Sequence, residues 1–177
     1  TKGYDAMTVD EVAAEAGMAK ASVYKHFASK EDLAAAAMIR ALDRAVTFVD
    51  GLRENPDARP IEQLKAVARW AITSQLEGEM PSLPSQNSAL SNSLQANEAY
   101  MDRLISLSNK LSIWITEAQT SGQLNNHIPP EMVLYMLFAR ACDPVVGMLK
   151  ASGQYTHEQI LDWVTLTTFE GLGQIAK

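Results

Sequence analysis

The sequence predicts an all-α protein, and three observations carry that prediction. Apolar residues recur at helical spacing along nearly the whole chain, helix-start and helix-stop residues punctuate the periodic segments, and no stretch alternates apolar with polar positions as a half-buried strand does. The 177 residues, 47% hydrophobic and 20% charged, suffice to bury a core. The apolar run from Met132 to Phe138 is far too short for a membrane span, so no membrane partner is expected. A single cysteine, Cys142, with neither a Cys/His cluster nor a secretory leader, points to a reducing cytoplasm and to no metal or cofactor. Because the chain opens on Thr1 rather than methionine, some N-terminal sequence is expected to be missing.

Taken in order, the elements begin after a turn at Gly3. Thr8 and Glu11 form an N-terminal capping signature, and Val9, Val12, Ala13 and Ala16 carry a helix of little over two turns until Gly17 stops it. A second short helix is expected over 19–27, its buried side marked by Val23 and Phe27, with Met18 completing the core under the turn. Ser29 caps a third, with Asp32 at the reciprocal position, and Leu33, Ala37, Leu42, Val46 and Val49 extend it to about residue 52. Pro56 and Pro60 mark a change of composition, read as the junction between a unit over 1–52 and one over 53–177. Helices then follow over 61–76, 87–94 and 100–118, the loop over 78–85 intervening and Gly122 closing the last. Pro129 and Pro130 start a helix over 131–151, kinked where Pro144 removes a backbone donor, and Thr156 with Gln159 caps a final helix reaching about residue 175.

A formal charge of −6 argues against nucleic acid, but its distribution argues the other way. Residues 5–15 hold four acids and no Lys or Arg, whereas residues 17–30 hold Lys20, Lys25, Lys30 and His26 and no acid. Two short helices joined by a Gly turn make a helix-turn-helix when a small residue such as Ala13 permits close approach. With Val23 and Phe27 inward, the wheel sends Lys20, Ser22, Tyr24, Lys25 and His26 outward, Ala21 among them, as donors and contacts for a major groove. Lys20, Ser22 and Lys25 are the candidates for base edges and Tyr24 for phosphate. Thr8 and Lys30 stand at helix starts, where free amides and the dipole favour a phosphate.

The segment from Thr8 to Leu33, TVDEVAAEAGMAKASVYKHFASKEDL, resembles the DNA-binding domain of the tetracycline-repressor (TetR) family of bacterial transcriptional regulators. The likeness rests on Gly3-Tyr4, the Thr8 cap, the Val-x-x-Val-Ala-x-x-Ala-Gly run ending at Gly17, Val23-Tyr24-Lys25-His26-Phe27, and Ser29-Lys30-Glu31-Asp32-Leu33. It implies a helix-turn-helix domain, its first helix largely missing here, on a connecting helix over 30–52, followed by a helical ligand-binding and dimerisation domain. It also implies phosphate-contacting positions at Tyr24 and Lys30 and operator-reading positions at Lys20, Ser22 and Lys25. Ala19 departs from the family's usual Ser or Thr cap.

In the second half, 132–138 and the final helix with Ile160, Leu161, Trp163, Val164, Leu166, Phe169 and Leu172 are apolar on more than one face, so the last two helices are expected to pair two subunits. Trp70, Met101, Leu104, Trp114, Phe138 and Met148 are candidates to line an effector cavity, with Arg140, Cys142 and Asp143 as polar anchors. The expected function is a dimeric repressor that leaves a palindromic operator when a small molecule binds, rather than an enzyme. The alternative is a helical small-molecule-binding protein or enzyme without a DNA role. His26, His127 and His157 show no metal or catalytic spacing, and Gly171-Leu-Gly173 is too weak a motif for a phosphate loop.

Overall fold

In the computed structural model, which describes residues 4, 7–55, 57–81 and 89–172, α-helices follow one another, with a 3-10 turn near the C-terminal end. In chain order they are α1 (Val9–Glu15), α2 (Lys20–His26), α3 (Lys30–Leu52), α4 (Pro60–Leu76), α5 (Ala89–Ala96), α6 (Glu98–Thr120), α7 (Pro130–Ala139), α8 (Pro144–Ser152) and α9 (His157–Phe169). No strand occurs among the described residues. The expected features at Gly3, Pro56, Asn87, the second half of the 78–85 loop and residues 173–175 lie outside them.

The chain forms two compact units, Thr1–Ala45 with Pro81–Ile105, and Val46–Met80 with Ser106–Lys177. In the first, Val9, Ala13 and Val23 form a small core between α1 and α2, closed by Phe27 and Leu33. Gly17 adopts φ +65°, the left-handed backbone the turn requires, and the amide of Met18 donates to the Ala13 carbonyl at 2.8 Å. Met18 itself corrects the sequence expectation: its side chain is 46% exposed, because the chain leaves the left-handed residue turned away from the core. A second cluster joins Ala35 and Met38 of α3 to Leu90 and Leu94 of α5. Asn97 alone separates α5 from α6, and its carboxamide oxygen accepts from the Tyr100 amide at 3.0 Å, the cap that restarts the helix.

In the second unit α4, α8 and α9 share a core of Ile72, Leu76, Val146, Ile160 and Val164, each at most 4% exposed. Three helices, α4, α7 and α8, carry Pro at their first positions. The kink expected at Pro144 is a full break. Arg140–Cys142 tightens into a 3-10 turn, Asp143 is extended (φ −67°, ψ 115°) as a residue before proline must be, and its carboxylate accepts from the Val145 amide at 2.9 Å to start α8. This break also disposes of a composition signal. Pro130–Ser152 holds a window of mean hydropathy 1.5, yet the two helices inside it have 10 and 9 residues, too short to cross a bilayer. Thr156 and Gln159 cap α9 reciprocally as expected. That helix stops at Phe169, after Thr165, Thr167 and Thr168 have turned their hydroxyls back onto carbonyls of the preceding turn.

Candidate functional site

The basic surface is built on α2, a helix that its own sequence barely supports. It has seven residues, no side-chain cap at Ala19 and one buried side chain, Val23. Isolated, it would be far below the length at which helices persist in water. Packing of Val23 against Val9 and Ala13, with Phe27 behind, therefore sets which side faces out. On that side Lys20, Ala21, Tyr24, Lys25 and His26 are exposed, and Ser22 is half-buried. Lys25 makes no ion pair among the described residues, whereas Lys20 Nζ lies 2.6 Å from Asp10 Oδ2 of α1 and 5.8 Å from the centre of the Tyr24 ring. The carboxylate raises the Lys20 ammonium above its ordinary pKa, so the lysine is charged at neutral pH.

The flanks of this surface are two helix starts. At α1 the capping box is complete: the Glu11 amide donates to Thr8 Oγ1 at 3.2 Å and the Thr8 amide donates to Glu11 Oε2 at 3.1 Å. Two donors expected for a phosphate are thus already engaged by the protein. At α3 the Asp32 amide donates to Ser29 Oγ at 3.0 Å. Lys30 Nζ sits 4.3 Å from the centre of the Tyr4 ring, and the Tyr4 hydroxyl donates to Glu31 Oε1 at 2.8 Å. That hydroxyl lowers the Glu31 carboxyl pKa, with the Glu31 backbone amide adding to the effect. Tyr4 thereby holds both residues that open α3. This role was not assigned by sequence reasoning, although Tyr4 is part of the matched pattern.

The residues expected to line an effector site are distributed over both units. Met101 and Leu104, on α6, are half-buried in the first. In the second, Trp114 is 5% exposed, Trp70 stacks on Phe48 with centroids 5.5 Å apart, and Phe138 is half-buried on α7. Met148 faces solvent at 72% exposure. Arg140 pairs with Asp143 Oδ2 at 2.8 Å, both side chains nearly buried, and its Nη1 donates to Thr168 Oγ1 at 3.3 Å. Burial pushes the Cys142 thiol above its usual pKa, away from the reactive thiolate. Sequence reasoning did not anticipate a surface groove of about 450 Å³ between α4 and α9, where Lys65 and Arg69 face Asp162, Leu166 and Glu170. Arg69 and Asp162 lie too far apart in sequence for periodicity to pair them; their contact is 2.7 Å. Among the described residues no three His, Cys, Asp or Glu side chains come together as a metal site.

Comparison with known proteins adds to this geometry. No curated protein matches the chain by sequence. Among solved structures, the fatty acid degradation regulator FadR from Bacillus halodurans superposes with TM-score 0.71 at 18% identity, covering 96% of this chain and 87% of its own. The transcriptional regulator FadR from Bacillus subtilis, in complex with stearoyl-CoA, gives 0.66 at 20% identity over 97% of this chain and 91% of its own. AibR, in complex with isovaleryl coenzyme A and operator DNA, gives 0.62 at 23% identity over 94% and 89%. At these identities the likeness establishes the all-α fold. Residues 1–37, which contain α1, α2 and the start of α3, match the model of a family described as bacterial regulatory proteins, tetR family. By that match, the helix-turn-helix segment of this chain, residues 1–37, is similar to that of bacterial regulatory proteins of the tetR family.

Proposed function

We propose that the chain is a cytoplasmic, ligand-responsive transcriptional regulator that binds a palindromic operator as a homodimer and leaves it when a small molecule binds. The observation that carries this reading is the outward face of α2, where Lys20, Tyr24 and Lys25 reach solvent while Val23 anchors the helix from behind. Lys20, Ala21, Ser22 and Lys25 are assigned to base edges. Thr8, Tyr24, His26 and Lys30 are assigned to the phosphate backbone, which positions the helix without reading sequence. By role, residues 1–52 are assigned to DNA binding and 53–177 to effector binding and dimerisation, a division along the sequence that differs from the two compact units.

Dimerisation falls to α7–α8 and α9. Met132, Tyr135 and Met136, then Val145 and Met148, then Trp163 and Leu166 are exposed at spacings of three or four residues, so each helix turns one apolar face to solvent. Two copies of these faces make a self-complementary interface. For the effector, the complexes of FadR with stearoyl-CoA and AibR with isovaleryl coenzyme A favour an acyl-coenzyme A. In the second unit Trp70, Trp114 and Phe138 are apolar enough for the acyl chain and Arg140 is a cation suited to the polar end, while Met101 and Leu104 of the first unit are candidates by their apolar character alone.

Fluorescence anisotropy of the chain against DNA from upstream of its own gene, with and without added acyl-coenzyme A, tests the proposal. Binding that exceeds a scrambled duplex, and that weakens when the thioester is added, is the expected result. Equal binding to both duplexes at low salt overturns the DNA role.

A further inference from the structure

Resting on the DNA-binding reading, we infer that Asp10 is a specificity-determining residue: it partners Lys20 so that the pair favours base edges over phosphate. The pair is a contact between elements, α1 supplying the carboxylate and α2 the ammonium, at 2.6 Å. Both side chains remain more than half exposed, at 59% and 56%, on the side of α2 away from its core. An ion pair this exposed is weakly held and can be rearranged by a competing partner.

The chemistry of the two DNA targets then decides what the rearrangement favours. A phosphate only accepts hydrogen bonds and carries negative charge, so it gains the Lys20 donor but meets the Asp10 carboxylate beside it. A base edge in the major groove can offer an acceptor such as guanine O6 or N7 beside an amino donor such as cytosine or adenine N–H. It satisfies Lys20 and Asp10 together. Lys25, which has no ion pair among the described residues, has no carboxylate beside it to bias it against phosphate.

The test is an anisotropy titration over a salt series with wild type, Asp10→Asn, Lys20→Ala and the double variant. The two probes are a duplex selected from a random pool by the wild-type chain and a scrambled duplex of the same composition. Asp10→Asn is expected to bind the scrambled duplex about two- to fivefold more tightly. It should also steepen the log K against log salt slope on that duplex by about 0.9, the signature of one more phosphate contact. Affinity for the selected duplex changes less, so the discrimination ratio falls, and Asp10→Glu keeps the wild-type ratio. In the Lys20→Ala background, Asp10→Asn changes nothing. Equal shifts on both duplexes, or the same shift with Lys20 absent, would overturn the inference, since either reports only the loss of a negative charge. A wild-type chain that selects no duplex at all refutes the DNA-binding reading instead, and the scrambled-duplex slope still reads whether Asp10 restrains Lys20.

Discussion

Removing one member of the Arg140–Asp143 pair should destabilise the protein more than removing both. Asp143 is 5% exposed and the Arg140 side chain 15%, their contact is 2.8 Å, and the pair sits at the break between α7 and α8. Asp143→Asn keeps a good capping oxygen for the Val145 amide but removes the charge facing Arg140. An unpaired buried charge costs about 3–5 kcal/mol, and the residual exposure of Arg140 puts the expected loss at the lower end, about 3 kcal/mol. Arg140→Met strands the carboxylate instead, with a similar loss. Asp143→Ala adds the missing cap, about 1 kcal/mol more. The double variant Arg140→Met with Asp143→Asn leaves no buried charge. It also removes Arg140 Nε, a buried donor with no hydrogen-bond partner in the native protein among the described residues. Its stability should therefore lie within about 1 kcal/mol of wild type. Urea unfolding followed by circular dichroism at neutral pH, analysed as a double-mutant cycle, measures this directly. Additive losses in the cycle, or single variants indistinguishable from wild type, would show that the pair is not coupled as its geometry requires.

Other outcomes follow from the same structure. Gly17→Ala should cost about 1–2 kcal/mol through its positive φ alone, since no neighbouring atom obstructs a new Cβ. Gly51→Ala, inside α3 with equally open space, should instead stabilise by about 0.5–1 kcal/mol; thermal melts compare the two. Ile160→Ala empties a fully buried site between α4, α8 and α9 and should lower unfolding free energy by about 3 kcal/mol in denaturant titrations. Tyr4→Phe removes the hydroxyl that depresses the Glu31 pKa. Glu31 adds stability above its unfolded pKa that disappears as pH falls through its lower folded value, so the variant should lose part of the Glu31 contribution to acid unfolding and show a raised Glu31 pKa by NMR titration. Replacing Met148 and Leu166 together by Asp should leave the secondary structure intact and convert a dimer to a monomer in sedimentation velocity; an unchanged sedimentation coefficient would remove α8 and α9 from the interface.

Much of the fold was legible because helix signals are local. Thr8 with Glu11 and Thr156 with Gln159 predicted two capping boxes three residues apart in sequence, and both are present. Pro129 and Pro130 marked a helix start for the same reason, whereas Pro60, read as part of a junction, is itself the first residue of α4. Where the reading fell short, the deciding interaction was either subtle or distant. Pro144 announced a kink, but the full break depends on Asp143 acting as a new cap and on a buried partner in Arg140. Met18 fits an apolar pattern, yet the left-handed Gly17 turns it outward. The candidate DNA surface was readable from a compact motif of 26 residues between Thr8 and Leu33. The Lys20–Asp10 pair was not, because ten residues and a turn separate its members and no periodicity links them. The effector candidates were chosen by size and apolarity alone, properties that core residues such as Trp114 share.

The weakness of α2 and the position of its lysines belong to one physical arrangement. A seven-residue helix without a capping side chain draws its order from Val23, Phe27 and their neighbours on α1 and α3. Its outward side chains carry little of the folding free energy, so Lys20, Tyr24 and Lys25 can be replaced while the helix stays in place. Asp10 belongs to α1 and is held there by a capped first turn, so it offers Lys20 a fixed reference point that α2 cannot supply from within its own length. Support and surface chemistry are thereby separated: an apolar triad, Val9, Ala13 and Val23, anchors the helix, and an exposed polar pair across the turn joins its first lysine to α1.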